Sequence, residues 1–140
     1  MIPMDARARF AFLAVIAAQA AHSIEEYWFR LYDLLAPTRL LSEAIGPDRA
    51  TGFLIGNAAI LLAGLVCYFA SVRRGHGSAR GLAWFWALLE IANGLGHVAL
   101  ALWARGYFPG LATAPLLLAT GLHLATRLSR SRPPTKGDAA

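Results

Sequence analysis

The apolar positions of the chain fall into four long windows, at about Phe10 to Phe29, Phe53 to Val72, Leu82 to Trp103 and Gly110 to Leu128. Each approaches or reaches the roughly 20 residues that a helix needs to cross the hydrocarbon core of a bilayer. A helix in a small soluble bundle keeps one polar face, whereas these windows are apolar around most of their circumference. The pattern predicts an all-α polytopic membrane protein, a compact four-transmembrane-helix bundle over residues 10–128. It leaves a cytoplasmic lead-in at 1–9 and a disordered cytoplasmic tail at 129–140.

The connections carry their own signals. Pro37 and Pro47 limit any continuous helix between Arg30 and Gly52, and Thr38 to Ala44 forms a short amphipathic segment suited to lie on the membrane over the mouth of a site. Pro109 with Gly106 and Gly110 marks a reversal before the fourth window, and Pro115 predicts a bend inside it. Alanines in the first window and the Gly52-x-x-x-Gly56 spacing permit close helix approach. Trp28, Trp84, Trp86 and Trp103 stand at window ends, as interfacial anchors do.

Composition agrees with this pattern: of 140 residues, 57% are hydrophobic and 15% charged, with a mean hydropathy of +0.49. The first window is not a cleaved signal peptide, because acidic residues stand where a small-residue cleavage site belongs. Arg7, Arg9, Arg73, Arg74, Arg80, Arg127, Arg130, Arg132 and Lys136 share one side of a four-span arrangement, which places that side and both termini in the cytoplasm. The same placement explains the net charge of +5 without nucleic acid, since no aromatic and basic platform accompanies it. Cys67 is the single cysteine, so no disulfide forms within the chain.

Ionisable groups inside such windows mark functional sites, because burying them in lipid is costly unless they are paired. Gln19, His22 and Glu26 sit at offsets zero, three and seven, and Glu90, Asn93 and His97 repeat that spacing, so each set lines one helical face. His22, Glu26, Glu90 and His97 are the expected metal ligands, with Glu25 the alternative to Glu26. This N/O donor set suits a divalent transition metal, zinc, iron or manganese, and no H-E-x-x-H protease motif is present. Catalytic roles fall to Glu25, Glu26, Glu90 and Asn93, while Gln19, Asn57, Tyr107 and His123 are candidates for supporting the site or lining its pocket.

These residues point to a metal-dependent membrane enzyme acting on a small hydrophobic or amphipathic substrate. The expected partners are membrane lipids and that lipid-soluble molecule, with self-association allowed and nucleic acid excluded. Three other classes use the same groups: a metal-free acid-base isomerase or cyclase, a proton or small-solute channel or transporter, and a structural membrane subunit.

Through His22-Ser23-Ile24-Glu25-Glu26, Glu90-x-x-Asn93-x-x-x-His97 and Tyr107-x-Pro109-Gly110, the chain resembles the HXXEE-motif family of small bacterial integral membrane proteins. The likeness covers roughly Phe10 to Leu128 and implies a four-span unit in a bacterial cytoplasmic membrane, with these polar residues forming one site. A looser likeness to the sterol-isomerase-like membrane families, which also set histidine, glutamate and asparagine in a helix bundle, implies proton transfer on a lipid-soluble substrate.

Overall fold

The computed structural model describes residues 4–130, and these contain six α-helices and no strand. Helix α1 spans Ala6–Trp28, α2 Leu31–Leu34, α3 Ala36–Ile45, α4 Arg49–Cys67, α5 Ala79–Ala104 and α6 Ala114–Arg130, and α4 runs on into a π-helical turn, Tyr68–Val72. The tail expected at 129–140 lies outside the described residues from position 131 onward.

Local chemistry sets the helix starts. The Asp5 carboxylate accepts from the Ala8 amide at 2.6 Å, so α1 begins inside the expected lead-in. Asp48 caps α4 by accepting from the Thr51 amide at 2.9 Å and its hydroxyl at 2.7 Å. Pro115 does not bend a helix as expected. It occupies the first turn of α6, where a missing N–H costs nothing, and the preceding segment is a turn. Pro37 sits likewise in the first turn of α3, and the amphipathic segment expected at Thr38 to Ala44 lies within that helix.

Helix α1 packs against α4, α5 and α6, and its buried side divides into two levels. Nearer its start, Phe12 and Val15 meet Val72, Trp86, Leu124 and Leu128 in an apolar core. These side chains hold the helices together by van der Waals contact along their length. Trp86, 3% exposed and edge-on to Phe12, belongs to this core instead of an interface, whereas Trp28 and Trp103 are 78% and 83% exposed. Nearer the end of α1 the buried residues are polar: Gln19, His22, Ser23, Glu25 and Glu26.

Helix α4 turns outward. Its buried residues are Gly52, Phe53 and Gly64, while Leu54, Ile55, Leu62 and Val66 are exposed. Arg49–Val72, 24 residues with an 18-residue stretch at mean hydropathy 2.1, and Ala79–Ala104, 26 residues with such a stretch at 1.4, are long and apolar enough to cross a membrane. Water is a poor solvent for so large an apolar surface.

The α2–α3 segment folds back over α4. A Cβ at Gly52 would sit 1.9 Å from the Ser42 carbonyl oxygen, so only glycine admits the α3 backbone here, and Gly56 faces Ile45 Cδ1 at 3.7 Å. The Gly52-x-x-x-Gly56 stripe therefore receives α3. Arg49 secures the same junction from outside, 2.6 Å from Glu43 and 3.3 Å from Asp33.

Candidate functional site

The repeated offsets on α1 and α5 meet in register. Gln19 faces Glu90, and seven residues later on each helix Glu26 faces His97. Contacts at both ends of the same interval require the two helices to run parallel, and seven residues at 1.5 Å each separate the two levels by about 10 Å.

At the upper level, Glu26 Oε1 lies 3.3 Å from His22 Nε2 and 3.1 Å from His97 Nε2. The imidazoles meet edge to face, with centroids 4.5 Å apart and planes at 81°. One ligand atom from each of the three residues falls within 4.8 Å of the others, and all three side chains are buried.

Hydrogen bonds on the far side of each ring determine what these atoms are. His97 Nδ1 is 2.6 Å from the Pro109 carbonyl, which only accepts, so Nδ1 carries the proton. His22 Nδ1 is 2.7 Å from Thr113 Oγ1, and that hydroxyl donates to Glu25 Oε2 at 2.5 Å, so it accepts from His22. In the neutral rings both Nε2 atoms then carry lone pairs aimed at one carboxylate oxygen, and His22 Nε2 has no hydrogen-bond partner. A proton on His97 would satisfy the Glu26 pair but leave His22 Nε2 bare. Protons on both rings would set two cations side by side. One cation among the three atoms satisfies all of them, and fixing the outer nitrogen by a carbonyl or a bonded hydroxyl is how metal-bound imidazoles are oriented.

Glu25, one residue earlier, faces a different partner set. Oε1 accepts from the Tyr107 hydroxyl at 2.5 Å, the Gly110 amide at 3.1 Å and the Ala112 amide at 3.0 Å. Oε2 accepts from the Thr113 amide at 2.8 Å and from its hydroxyl. A carboxylate from α1 thus caps the start of α6, where free amides and the helix dipole favour negative charge. Burial and the hydrogen bond to Glu25 push the Tyr107 hydroxyl up to about 12. Gly110 completes the turn with φ +92°, and a Cβ there would lie 2.4 Å from His97 Nδ1 and 2.7 Å from His22 Cε1. Both rings rest on bare backbone.

The lower level is a chain of hydrogen bonds that ends on Glu90. The Asn57 amide donates to the Phe53 carbonyl at 3.1 Å, so its oxygen accepts from Ser23 Oγ at 2.6 Å. Ser23 has spent its proton and accepts from Gln19 Nε2 at 3.1 Å. The Gln19 oxygen then faces Glu90, which must donate to it as the protonated acid, while Asn93 bonds the same carboxyl group. Turning the Gln19 amide gives Glu90 a donor at 2.8 Å, but Ser23 would then owe its single proton to two acceptors. The half-buried Asn57 lines the cavity, where its oxygen can take another donor, so both Gln19 orientations can be satisfied, one with Glu90 protonated and one with it ionised.

Glu90, expected among the ligands, stands outside the three-residue group. Asn57 joins the network through Ser23, and Tyr107 joins it through Glu25. His123 is exposed on α6, its Nε2 accepting from Arg127 at 3.5 Å. Thr113, Ser23 and the Gly110 backbone were not singled out from sequence. Thr113 had a signal, since a threonine two residues before a proline marks a helix start once the proline is assigned to the first turn.

A cavity of about 520 Å³ adjoins the site between α1, α3, α4 and α5. Gln19, Glu26, Asn57 and Asn93 form its polar wall, and Leu41, Ile45, Phe53 and Ile60 contribute to the apolar one. A protein-family model described as a protein of unknown function with HXXEE motif matches residues 13–123, an interval that contains every one of these groups. No curated protein and no solved structure gives a significant match.

Proposed function

We propose, from the premise that the chain belongs to the HXXEE family, that it is a metal-dependent membrane enzyme acting on a small hydrophobic or amphipathic substrate. The observation that carries this reading is the convergence of His22 Nε2, His97 Nε2 and Glu26 Oε1, three buried lone-pair atoms whose outer hydrogen bonds already hold both rings. Two imidazoles and a carboxylate suit zinc, iron or manganese. A divalent ion there supplies Lewis acidity and an activated water.

The chain's own residues divide the remaining work. Glu26 belongs both to the ligand group and to the cavity wall, so a polar group at that end of the cavity lies beside the ligands. Gln19 and Asn93, on the same wall, orient it by hydrogen bonding. Leu41, Ile45 and Phe53 exclude water, and Glu25 holds His22 through Thr113.

The four-span topology and cytoplasmic termini belong to the same proposal. Two helices meet the length and apolarity for spanning, and α1 and α6 share their buried core. Arg80 donates to the Leu128 carbonyl, which brings Arg80 at the start of α5 and Arg127 and Arg130 at the end of α6 to one end of the molecule.

Protein purified in detergent without chelator should carry about one divalent transition-metal ion per chain by elemental analysis. His22→Ala, His97→Ala and Glu26→Ala should lose it and His123→Ala should keep it. A metal-free preparation would overturn the proposal and favour acid-base chemistry by the Glu26 and His97 pair, 3.1 Å apart.

A further inference from the structure

We infer that the cavity beside Glu26 is the binding site for a single-chain amphiphile without a cationic head, head inward and hydrocarbon chain outward under α3; as a substrate assignment this rests on the metal-enzyme reading above. The cavity has a direction. Its inner wall carries Gln19, Glu26 and Asn93, beside the buried ligand group, while its rim is made by Leu41, Ile45 and Ile60, which are 61%, 40% and 41% exposed. Thr38 and Ser42 also line the α3 side, so a molecule lying along the cavity meets the amides and the carboxylate at its inner end and a largely apolar cover toward the rim.

The lining also constrains the head group. Among the described residues Glu26 is the one ionisable side chain of the lining, and as a ligand it offsets only one of a divalent ion's two charges. A cationic head would lie beside a metal ion whose three protein ligands include two neutral imidazoles. A carbonyl, hydroxyl or carboxylate group matches the Gln19 and Asn93 amides, and a pure hydrocarbon would cover them without replacing their contact with water.

The size constrains the tail. At about 520 Å³ the cavity is of the volume that holds one small ligand, not a two-chain phospholipid. Helix α3 forms its cover and rests on Gly52, so Leu41 and Ile45 lie over the chain.

The test uses the full-length protein in lipid nanodiscs and a methyl ester of a fatty acid that carries a photoreactive diazirine in its chain. Adducts mapped by mass spectrometry should concentrate on Leu41, Ile45 and Ile60. Methyl decanoate should suppress them, and decyltrimethylammonium cation or diacyl phosphatidylcholine should not. Ile60→Trp places bulk at the rim, away from the ligands, and should lower adducts on Leu41 and Ile45 about tenfold with metal content unchanged. Gly56→Ala, whose Cβ meets only Ile45 Cδ1 at 3.7 Å, narrows the cavity without disturbing the fold and should also lower them.

Labelling as strong on the outward residues Leu88 and Leu102, or equal suppression by the cation or the phospholipid, would overturn the inference. Metal content measured on the same samples separates the two proposals. Specific, ester-suppressed adducts on a metal-free protein uphold the binding site and remove the enzyme reading. Unspecific adducts on a metal-loaded protein remove only the amphiphile.

Discussion

Each imidazole of the site is aimed by an atom outside its own helix, His97 by the Pro109 carbonyl and His22 by the Thr113 hydroxyl that Glu25 holds in turn. Thr113→Val removes the oxygen that accepts from His22, so metal affinity should fall by about 10–100-fold. Thr113→Ser should restore it, both measured by competition with a chromophoric chelator, and equal affinity in the valine variant would dismiss the role. Glu90 offers a second test, because one orientation of the Gln19 amide requires it to be a neutral acid. Glu90→Gln keeps a donor for Gln19 and an acceptor for Asn93, so the thermal midpoint should barely move. Glu90→Ala should lower stability by about 1–3 kcal/mol for each polar group left unpaired, and equal damage from both would show that the charge matters. The polar faces of α1 and α5 were legible from offsets alone, since a helix puts residues three, four and seven apart on one side. Which of Glu25 and Glu26 joins the histidines was not. Adjacent residues on a helix point about 100° apart, and only the position of the 105–113 segment gave Glu25 its own partners.

Among the elements, the segment from Arg105 to Thr113 depends most on distant residues, for it is folded around a carboxylate that belongs to α1. The Tyr107 hydroxyl, raised from 10.0 to about 12 by burial and by its bond to Glu25, donates only while protonated. Its contribution to stability should be complete below pH 10 and be lost as pH rises through about 12. Hydrogen exchange of this segment should quicken over that interval in the native protein, and Tyr107→Phe should remove the alkaline step. An unchanged step in the phenylalanine variant would assign it to another group. The long helices and amphipathic α3 were legible because hydrophobic periodicity and turn residues are local properties. The start of α6 was not, because Leu111 and Ala112 are as apolar as helix residues and hydropathy alone cannot separate an apolar turn from an apolar helix.

For the molecule as a whole, the proposed topology has both termini in the cytoplasm. Reporter fusions after Ser78 and after Ala140 should therefore register the cytoplasm, and an insertion between Leu41 and Asp48 the opposite side. An external C-terminus would reverse the arrangement of the arginines and sink it. The sequence by itself determined that the chain is helical, that α4 and α5 are long and apolar enough to cross a membrane, and that α1 and α5 each carry a polar face of matching interval. Those properties follow from composition and helical period, which need no knowledge of neighbours. Tertiary structure alone decided that the two faces meet in register, that Glu26 joins His22 and His97 while Glu25 caps α6, and that Glu90 stands behind Gln19. Hydrogen bonds are short and directional, so which groups pair depends on backbone segments up to 91 residues apart arriving within about 3 Å of each other.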